Sequence, residues 1–247
     1  MKKQICAVLL VLAAAAAFGA DFSLSAGAGG FLGGFFTRYS LNADGTVEGA
    51  QLKIDATQKM NQFDYGFFAF FDATYGVFSV FFQRGIGNYE ETAEISVFSD
   101  GTVDTGKGWE TVLGFSLLGK YPFSVGEKVL IFPMLGIEYH KSLIQKRTQS
   151  DGFVYKRDDG LREKDKDNNA YKLSDWDSFW VNVGGGIDYA LTDSVFFRGE
   201  LLYSFRLMTS YEKKNLEMMK ALAGDPDPKL GGLTSGPKLK LSVGRRF

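Results

Sequence analysis

The side chains whose spacing suggests covalent chemistry surround the single histidine of this sequence. His140 and Ser142 are two residues apart, with Lys141 between them. In a β-strand, residues two apart point to the same face, so this spacing sets an imidazole beside a hydroxyl. A hydroxyl next to a general base is the minimal arrangement for a serine nucleophile. The alternative interpretation is a histidine that packs in an interior or at a rim, without a catalytic role.

Other patterns typical of catalysis or cofactor binding are absent from the sequence. Cys6 is the only cysteine, and the sequence has neither a metal-ligand constellation nor a phosphate-binding glycine loop. We therefore expect no cofactor. The 28 basic and 29 acidic residues give a formal net charge of −1, which provides no bulk attraction to nucleic acid.

Charged side chains recur instead at alternate positions of otherwise apolar segments. In a small closed barrel these positions point inward, where eight strands leave just enough room to be filled by side chains. Unpaired charges there would be costly, so their mixed signs predict a salt-bridged plug. A second interpretation is that they leave a narrow path for water or small solutes. The predicted interior network comprises Glu110, Lys120, Glu138, Asp188, Arg198, Glu200, Arg206, Lys238, Lys240 and Arg246.

Eight segments have the two-residue period of β-strands that are apolar on one face. In the sixth, for example, Phe179, Val181 and Val183 alternate with Trp180 and Asn182. Each segment is long enough for the ~9 to 11 residues with which a tilted strand crosses a bilayer. The predicted strands are about 22–39, 62–71, 75–87, 109–121, 129–144, 178–191, 195–210 and 237–247.

The connections between these segments alternate strictly between short and long. Short turns are predicted at 72–76, around 124–127 and at 192–193, and the first of them includes Asp72. A transmembrane helix over 65–83 is the rival interpretation, but it would place Asp72 in mid-bilayer, and the flanking turn residues favour a hairpin. Soluble eight-stranded barrels of the lipocalin type are a further alternative, although they have no reason for the alternation.

The last predicted strand combines two faces with a terminal aromatic residue. Leu239, Leu241, Val243 and Phe247 share one face, whereas Lys238, Lys240, Ser242, Gly244 and Arg246 share the other. Arg245 falls on the apolar face, close enough to the end to sit at a membrane rim, where a lipid-facing arginine costs only ~0 to 1 kcal/mol. This strand resembles the closing strand of bacterial outer-membrane β-barrels.

The resemblance extends to the small-barrel superfamily of OmpA membrane domains and OmpX- or OmpW-like proteins. It implies an all-β, eight-stranded antiparallel up-and-down transmembrane barrel with short periplasmic turns and long extracellular loops. It also implies that the barrel-assembly machinery reads the four residues of the apolar face, that periplasmic chaperones escort the chain, and that outer-membrane lipid surrounds a monomer.

Three functions are compatible with this resemblance. The first is a non-enzymatic surface protein whose long charged loops meet an extracellular ligand. The second is a narrow channel for small or apolar solutes, as in OmpW-like proteins. The third, remote, is a lipid A deacylase, because His140-Lys141-Ser142 resembles the His-x-Ser of those enzymes. Leu143-Ile144 does not continue that motif, and His140 is predicted to point inward, whereas deacylases work on the lipid side.

The amino terminus has the pattern of a secretory signal peptide. Lys2 and Lys3 precede an apolar run, and Phe18-Gly19-Ala20 follows it, so residues 1–20 are predicted to be a signal peptide and 21–247 a single barrel domain. An aromatic content of 15%, with 23 Phe and 30 Gly, is typical of barrels that face lipid with aromatic side chains.

Two further expectations concern the barrel ends. Interface aromatics are predicted at Tyr39, Trp109, Tyr139, Trp176 and Tyr211 on the extracellular side, and at Tyr121 and Phe247 on the periplasmic side. The segment 146–172 is rich in charge and is predicted to be a solvated loop, and 215–224 a short helix. The turn signals Asp44-Gly45, Asp100-Gly101 and Asp151-Gly152 predict bends in the extracellular loops.

Overall fold

A computed structural model describes residues 23–47, 50–95, 102–149, 154–158, 177–207, 209, 213, 217 and 229–247. Within it, Lys213 and Glu217 are helical, whereas most of the predicted helix 215–224 lies outside the described residues. The strands are β1 (Leu24–Val47), β2 (Ala50–Ala73), β3 (Gly76–Ile95), β4 (Thr102–Lys120), β5 (Phe123–Val125), β6 (Val129–Gln149), β7 (Val154–Asp158), β8 (Ser178–Ala190), β9 (Val195–Arg206) and β10 (Lys229–Arg246).

Eight of these strands close into a ring. Along the sheet the order is β4, β3, β2, β1, β10, β9, β8, β6, and an additional pairing of β4 with β6 closes it. Every pairing is antiparallel, and the short strands β5 and β7 pair with β6 alone. The predicted eight-stranded up-and-down barrel is confirmed.

The register around the ring sets the shape of the barrel. A path of directly paired residues that starts at Ala26 of β1 crosses all eight strands and returns to β1 at Phe36, ten residues further along. Strand number and this stagger together determine tilt and diameter, and eight strands leave an interior that side chains can fill.

The strands are joined by tight turns at one end of the barrel and extend much further at the other. At one end the strands are joined by tight turns at Thr74-Tyr75, around Gly126 and at 191–194, and Phe247 N donates a hydrogen bond to Leu24 O. Gly126 adopts a φ of 72°, a conformation that glycine tolerates best. Short turns mark the periplasmic end of such barrels, so the opposite end is extracellular.

At the extracellular end the strands run further than the sequence predicts. β1 and β2 contain 24 residues each and remain paired up to Val47 and Ala50. The expected loop between residues 39 and 62 is therefore a β-ribbon, and Asp44-Gly45 lies within β1 instead of forming a bend. The sequence did not predict these extensions because residues 40–61 lack a regular apolar alternation.

The wall is apolar on the outside, whereas the inside combines buried charged side chains with buried apolar ones. Large apolar side chains alternate outward along every strand of the ring, with Phe67 67% and Leu201 62% exposed, whereas the inward positions include buried charges. A soluble barrel would expose its polar face, so the lipocalin-type alternative is wrong. This surface is suited to hydrocarbon, and the barrel spans a membrane.

Among the described residues, no helix has the length and apolar character that crossing a bilayer requires. The rival helical interpretation of 65–83 is wrong, since this region forms the hairpin of β2 and β3.

Candidate functional site in the barrel interior

Near the periplasmic end, one arginine organises the interior. Arg198 of β9 is 1% exposed and donates from Nε to Asp188 Oδ1 at 2.6 Å and from Nη2 to Asp188 Oδ2 at 2.7 Å. Its Nη2 also donates to Asp72 Oδ2, and its Nη1 lies 3.9 Å from Glu200 Oε1. A bidentate pair with further acceptors is the geometry in which a buried guanidinium is best compensated.

Two lysines extend this arrangement, which we call the Arg198 cluster: Arg198, Asp72, Asp188, Glu200, Lys120 and Lys240. Lys120 Nζ lies 2.6 Å from Asp72 Oδ2, and Lys240 Nζ lies 3.3 Å from Glu200 Oε2. The expectation that Asp72 belongs to a turn is wrong. The turn is one step later, at Thr74-Tyr75, and Asp72 is an inward residue of β2.

Aromatic rings pack around the cations of the cluster. The Arg198 guanidinium lies 4.9 Å from the ring centre of Phe70 and 5.1 Å from those of Phe132 and Phe196, and Lys240 Nζ lies 4.4 Å from that of Phe68. Such contacts stabilise cations that have left water. A buried apolar layer continues from these rings and comprises Phe31, Phe68, Phe70, Val77, Phe81, Leu118, Phe132, Met134, Phe196 and Leu202.

The histidine lies at the middle of the barrel. Glu138 Oε2 is 2.6 Å from Lys238 Nζ and 3.2 Å from His140 Nε2. The His140 ring stacks on Trp180 at a centroid distance of 5.1 Å and meets Phe81 edge-on. His140 and Ser142 both point inward and are buried, away from the lipid face on which lipid A deacylases act.

Towards the extracellular mouth, two carboxylates are held by amides. Gln62 Nε2 donates to Asp64 Oδ1 at 2.7 Å and to Glu110 Oε1 at 2.6 Å, and Gln83 Nε2 donates to Asp64 Oδ2 at 2.6 Å. In the described part of the chain neither carboxylate lies within ion-pair distance of a cation. We call Gln62, Asp64, Gln83 and Glu110 the amide–carboxylate cluster.

A cavity of about 70 Å³ lies above this cluster, and Gln62, Glu110, Trp180 and Arg206 are among the residues that line it. Arg206 donates from Nη2 to the Tyr39 hydroxyl at 2.7 Å. Arg246, the last residue of the predicted network, lies at the other end of the barrel, with its guanidinium 5.3 Å from the Phe196 ring centre.

The structure therefore divides the predicted network. Lys120, Asp188, Arg198, Glu200 and Lys240 meet in the Arg198 cluster, and Glu138 and Lys238 pair beside His140. Glu110 and Arg206 line the cavity, and Arg246 lies at the periplasmic end. Sequence reasoning missed Asp64 and Asp72 on β2 and Gln62 and Gln83 on β2 and β3. The available signal was their alternation with outward aromatics in 62–72, where Phe63, Tyr65, Phe67 and Phe71 share the opposite parity.

Most of the described interface aromatics lie on the outer wall, but Tyr39 does not. Tyr39 shares the inward face of β1 with Phe35 and Thr37, and its hydroxyl lies 3.0 Å from Thr234 Oγ1, so its assignment to the interface is wrong. A tyrosine can enter this interior because its hydroxyl finds partners there. Trp176 and Tyr211 lie outside the described residues.

The predicted assembly residues lie along the seam between the first and last strands. Leu239, Leu241 and Val243 point outward from β10, which pairs with β1, and Phe247 is 77% exposed at the periplasmic end. In the described residues, no group of three or more His, Cys, Asp or Glu side chains is arranged to hold a metal ion.

A second candidate surface lies on the extracellular ribbons. It is an open cleft of about 740 Å³ formed by β2, β3 and β4 together with Thr148 of β6, and Lys59 Nζ lies 3.4 Å from Glu90 Oε1 within it. The cleft is lined by Lys59, Asn61, Asn88, Tyr89, Glu90, Thr105, Gly106, Lys107 and Thr148.

Comparison with solved structures finds bacterial membrane barrels at low identity. Neisserial surface protein A is 12% identical, with 87% of this chain and 97% of that chain covered and a TM-score of 0.37. The Yersinia pestis attachment invasion locus protein Ail, solved with the heparin analogue sucrose octasulfate, is 13% identical, with 91% and 99% covered and a TM-score of 0.30. The Escherichia coli outer membrane protease OmpT is 9% identical, with 91% and 97% covered and a TM-score of 0.31.

No protein-family model matches this sequence, and no curated protein sequence matches it. At these identities and TM-scores, the likenesses assign no activity and no ligand to the chain. The barrel is defined by its own strand pairing and by its apolar outer wall.

Proposed function

We propose that this protein, an eight-stranded β-barrel of the outer membrane, is non-enzymatic and non-conducting and acts through its extracellular ribbons. The observation that supports a closed barrel is the filling of the interior. The Arg198 cluster and the apolar layer around it occupy the periplasmic half with buried side chains, and a continuous water path would have to displace them. Breaking buried ion pairs in this way is strongly unfavourable.

The ribbons supply the surface at which the proposed function operates. They carry β1 and β2 well beyond the ~9 to 11 residues that a bilayer requires, and so hold exposed polar side chains away from the membrane. The cleft beside Lys59 and Glu90 offers charges of both signs, amides and a tyrosine, which suits a polar extracellular ligand. A rigid ribbon presents such groups at lower entropic cost than a flexible loop does.

Planar-bilayer conductance tests the closed barrel. We expect no stable openings from the wild-type protein, and openings from a Phe31→Ala/Phe81→Ala/Phe196→Ala variant, in which the apolar layer is removed. Stable wild-type openings that disappear when the lumen is narrowed would instead support the narrow channel. Folding of each variant is checked by heat-modifiable gel migration.

We also propose that the barrel-assembly machinery recognises the terminal strand, and that periplasmic chaperones deliver the chain to it. The exposed Phe247 side chain and the outward row of β10 support this assignment. In cells, Phe247→Ala should lower the folded, heat-modifiable fraction, whereas refolding into detergent should proceed as in the wild type. An equal loss in both settings would indicate a role in stability instead.

A further inference from the structure

Two basic side chains project from the lipid-facing wall near its extracellular edge. Arg84 of β3 lies between Phe82 and Ile86, which are 42% and 51% exposed on the same outer face. In the register of the sheet, Arg84 is opposite Tyr65 on one side and Thr111 on the other. Exposed apolar side chains therefore lie on both the periplasmic and the extracellular side of Arg84 along β3.

The guanidinium of Arg84 is only partly satisfied by the protein. Its Nη1 donates to Thr111 Oγ1 at 3.1 Å, and its Cζ lies 3.7 Å from the ring centre of Trp109. In the described residues it forms no ion pair. A guanidinium has five N–H donors, and in a region from which water is excluded the remaining donors require an acceptor.

The second basic side chain is Lys141, which is exposed on the outer face of β6. It lies opposite Leu113 of β4, whereas Arg84 lies opposite Thr111. The two cations are therefore on either side of β4 and are offset by two residues along it. Two strand spacings separate them laterally, which is about 10 Å. The nearby Asp177 carboxylate accepts hydrogen bonds from the Tyr139 hydroxyl and from Ser142 N, and no ion pair joins Lys141 to a described carboxylate.

Two exposed lysines above the apolar wall differ from Arg84 and Lys141 because they have carboxylate partners. Lys53 lies 3.0 Å from Asp55, and Lys59 lies 3.4 Å from Glu90. Lys53 and Lys59 thus each have a carboxylate partner, whereas Arg84 and Lys141 have none among the described residues. Because Arg84 and Lys141 lie in the lipid-facing wall, an anionic lipid headgroup is the partner that their position makes available.

We propose that Arg84, which Thr111 holds in place, and Lys141 form a binding site for the phosphate headgroup of an outer-leaflet lipid. The phosphate oxygens accept from the free edge of the Arg84 guanidinium, which Trp109 holds in place, and pair with the Lys141 ammonium. The apolar surface beneath, including the stacked rings of Phe67 and Phe82, faces the acyl chains. This site is independent of the ligand of the ribbons and of lumen conductance.

The test uses the full barrel in detergent micelles and follows its thermal unfolding by the heat-modifiable gel shift. Dimyristoyl phosphatidic acid is titrated against dimyristoyl phosphatidylcholine, and bound lipid is counted by native mass spectrometry. We expect preferential stabilisation by the anionic lipid. Its apparent affinity should fall about fivefold in Arg84→Gln or Lys141→Gln and about 30-fold in the double variant.

Matched variants keep the test decisive. Arg84→Lys should retain most of the preference because it keeps the charge, and Arg245→Gln, which removes an exposed cation at the opposite rim, should leave it unchanged. Equal stabilisation by both lipids, or an unchanged preference in the double variant, would overturn the proposal. If inorganic phosphate alone reproduces the stabilisation, the site binds a soluble anion and the lipid assignment is wrong.

Discussion

The two halves of the barrel interior stabilise buried charge by different means. In the periplasmic half, Asp72, Asp188 and Glu200 all contact one guanidinium, and each carboxylate lies within 4 Å of a cation. In the extracellular half, Asp64 and Glu110 are held by the amides of Gln62 and Gln83. Asp64 and Gln83 are each 1% exposed, as is Arg198, so the two halves differ in the kind of partner that compensates buried charge and not in burial.

This difference suggests a division of labour along the barrel axis. The periplasmic half is filled by the Arg198 cluster and the apolar layer, and its charges depend on each other to remain buried. In the extracellular half the hydrogen bonds link near neighbours on β2, β3 and β4, and Gln62 and Glu110 also line the cavity. Substitutions that remove one charge should therefore have unequal costs in the two halves.

The largest effect is expected for Arg198→Met. This change leaves the carboxylates of Asp72, Asp188 and Glu200 without their shared partner, and loss of one member of a buried ion pair costs ~3 to 5 kcal/mol. The free energy of unfolding in detergent, measured by urea titration, should fall by that amount. Arg245→Gln, at the exposed rim, should change it by less than ~0.5 kcal/mol. A loss below ~1 kcal/mol for Arg198→Met would mean that the cluster is not sealed from water.

Glu138→Gln tests the pair that lies between the two halves. Lys238 would lose its carboxylate partner at 2.6 Å, and we expect a loss of about 3 kcal/mol in the same titration. Because the two side chains act as a pair, Glu138→Gln/Lys238→Met should be much less destabilised than the sum of the single variants. Additive losses would show that the two residues contribute separately.

Strand period alone was sufficient to predict the barrel. Outward and inward residues alternate so regularly in β8, β9 and β10 that the inward charges Asp188, Arg198 and Lys240 were identified without a structure. The network partners on β2 were harder to find because pairing across the lumen depends on register, which no single strand reveals. Asp72 is easily mistaken for a turn residue because β2 ends at Ala73 and the turn follows at Thr74-Tyr75.

The extracellular ribbons illustrate a different limit. In 40–47 and 50–61 the sequence lacks the regular apolar alternation that marks a membrane strand, although the backbone remains paired. Asp44-Gly45 is a turn signal by local preference, yet cross-strand pairing keeps it within β1. Tertiary pairing overrides local preference at such positions.

Glu110→Gln is expected to have the smallest effect on the free energy of unfolding, and it tests the comparison of the two halves most directly. A neutral amide at this position can still accept the hydrogen bond from Gln62 Nε2 through its oxygen, and it replaces one of two neighbouring carboxyl groups that have no ion-pair partner among the described residues. We expect a change of less than ~1 kcal/mol in the free energy of unfolding, because no buried partner is left uncompensated. Asp188→Asn in the other half is the matched control and should lose several times more, since it weakens the bidentate contact with Arg198. Comparable losses for the two variants would mean that the two halves depend equally on their charged side chains, and the proposed difference between them would then be wrong.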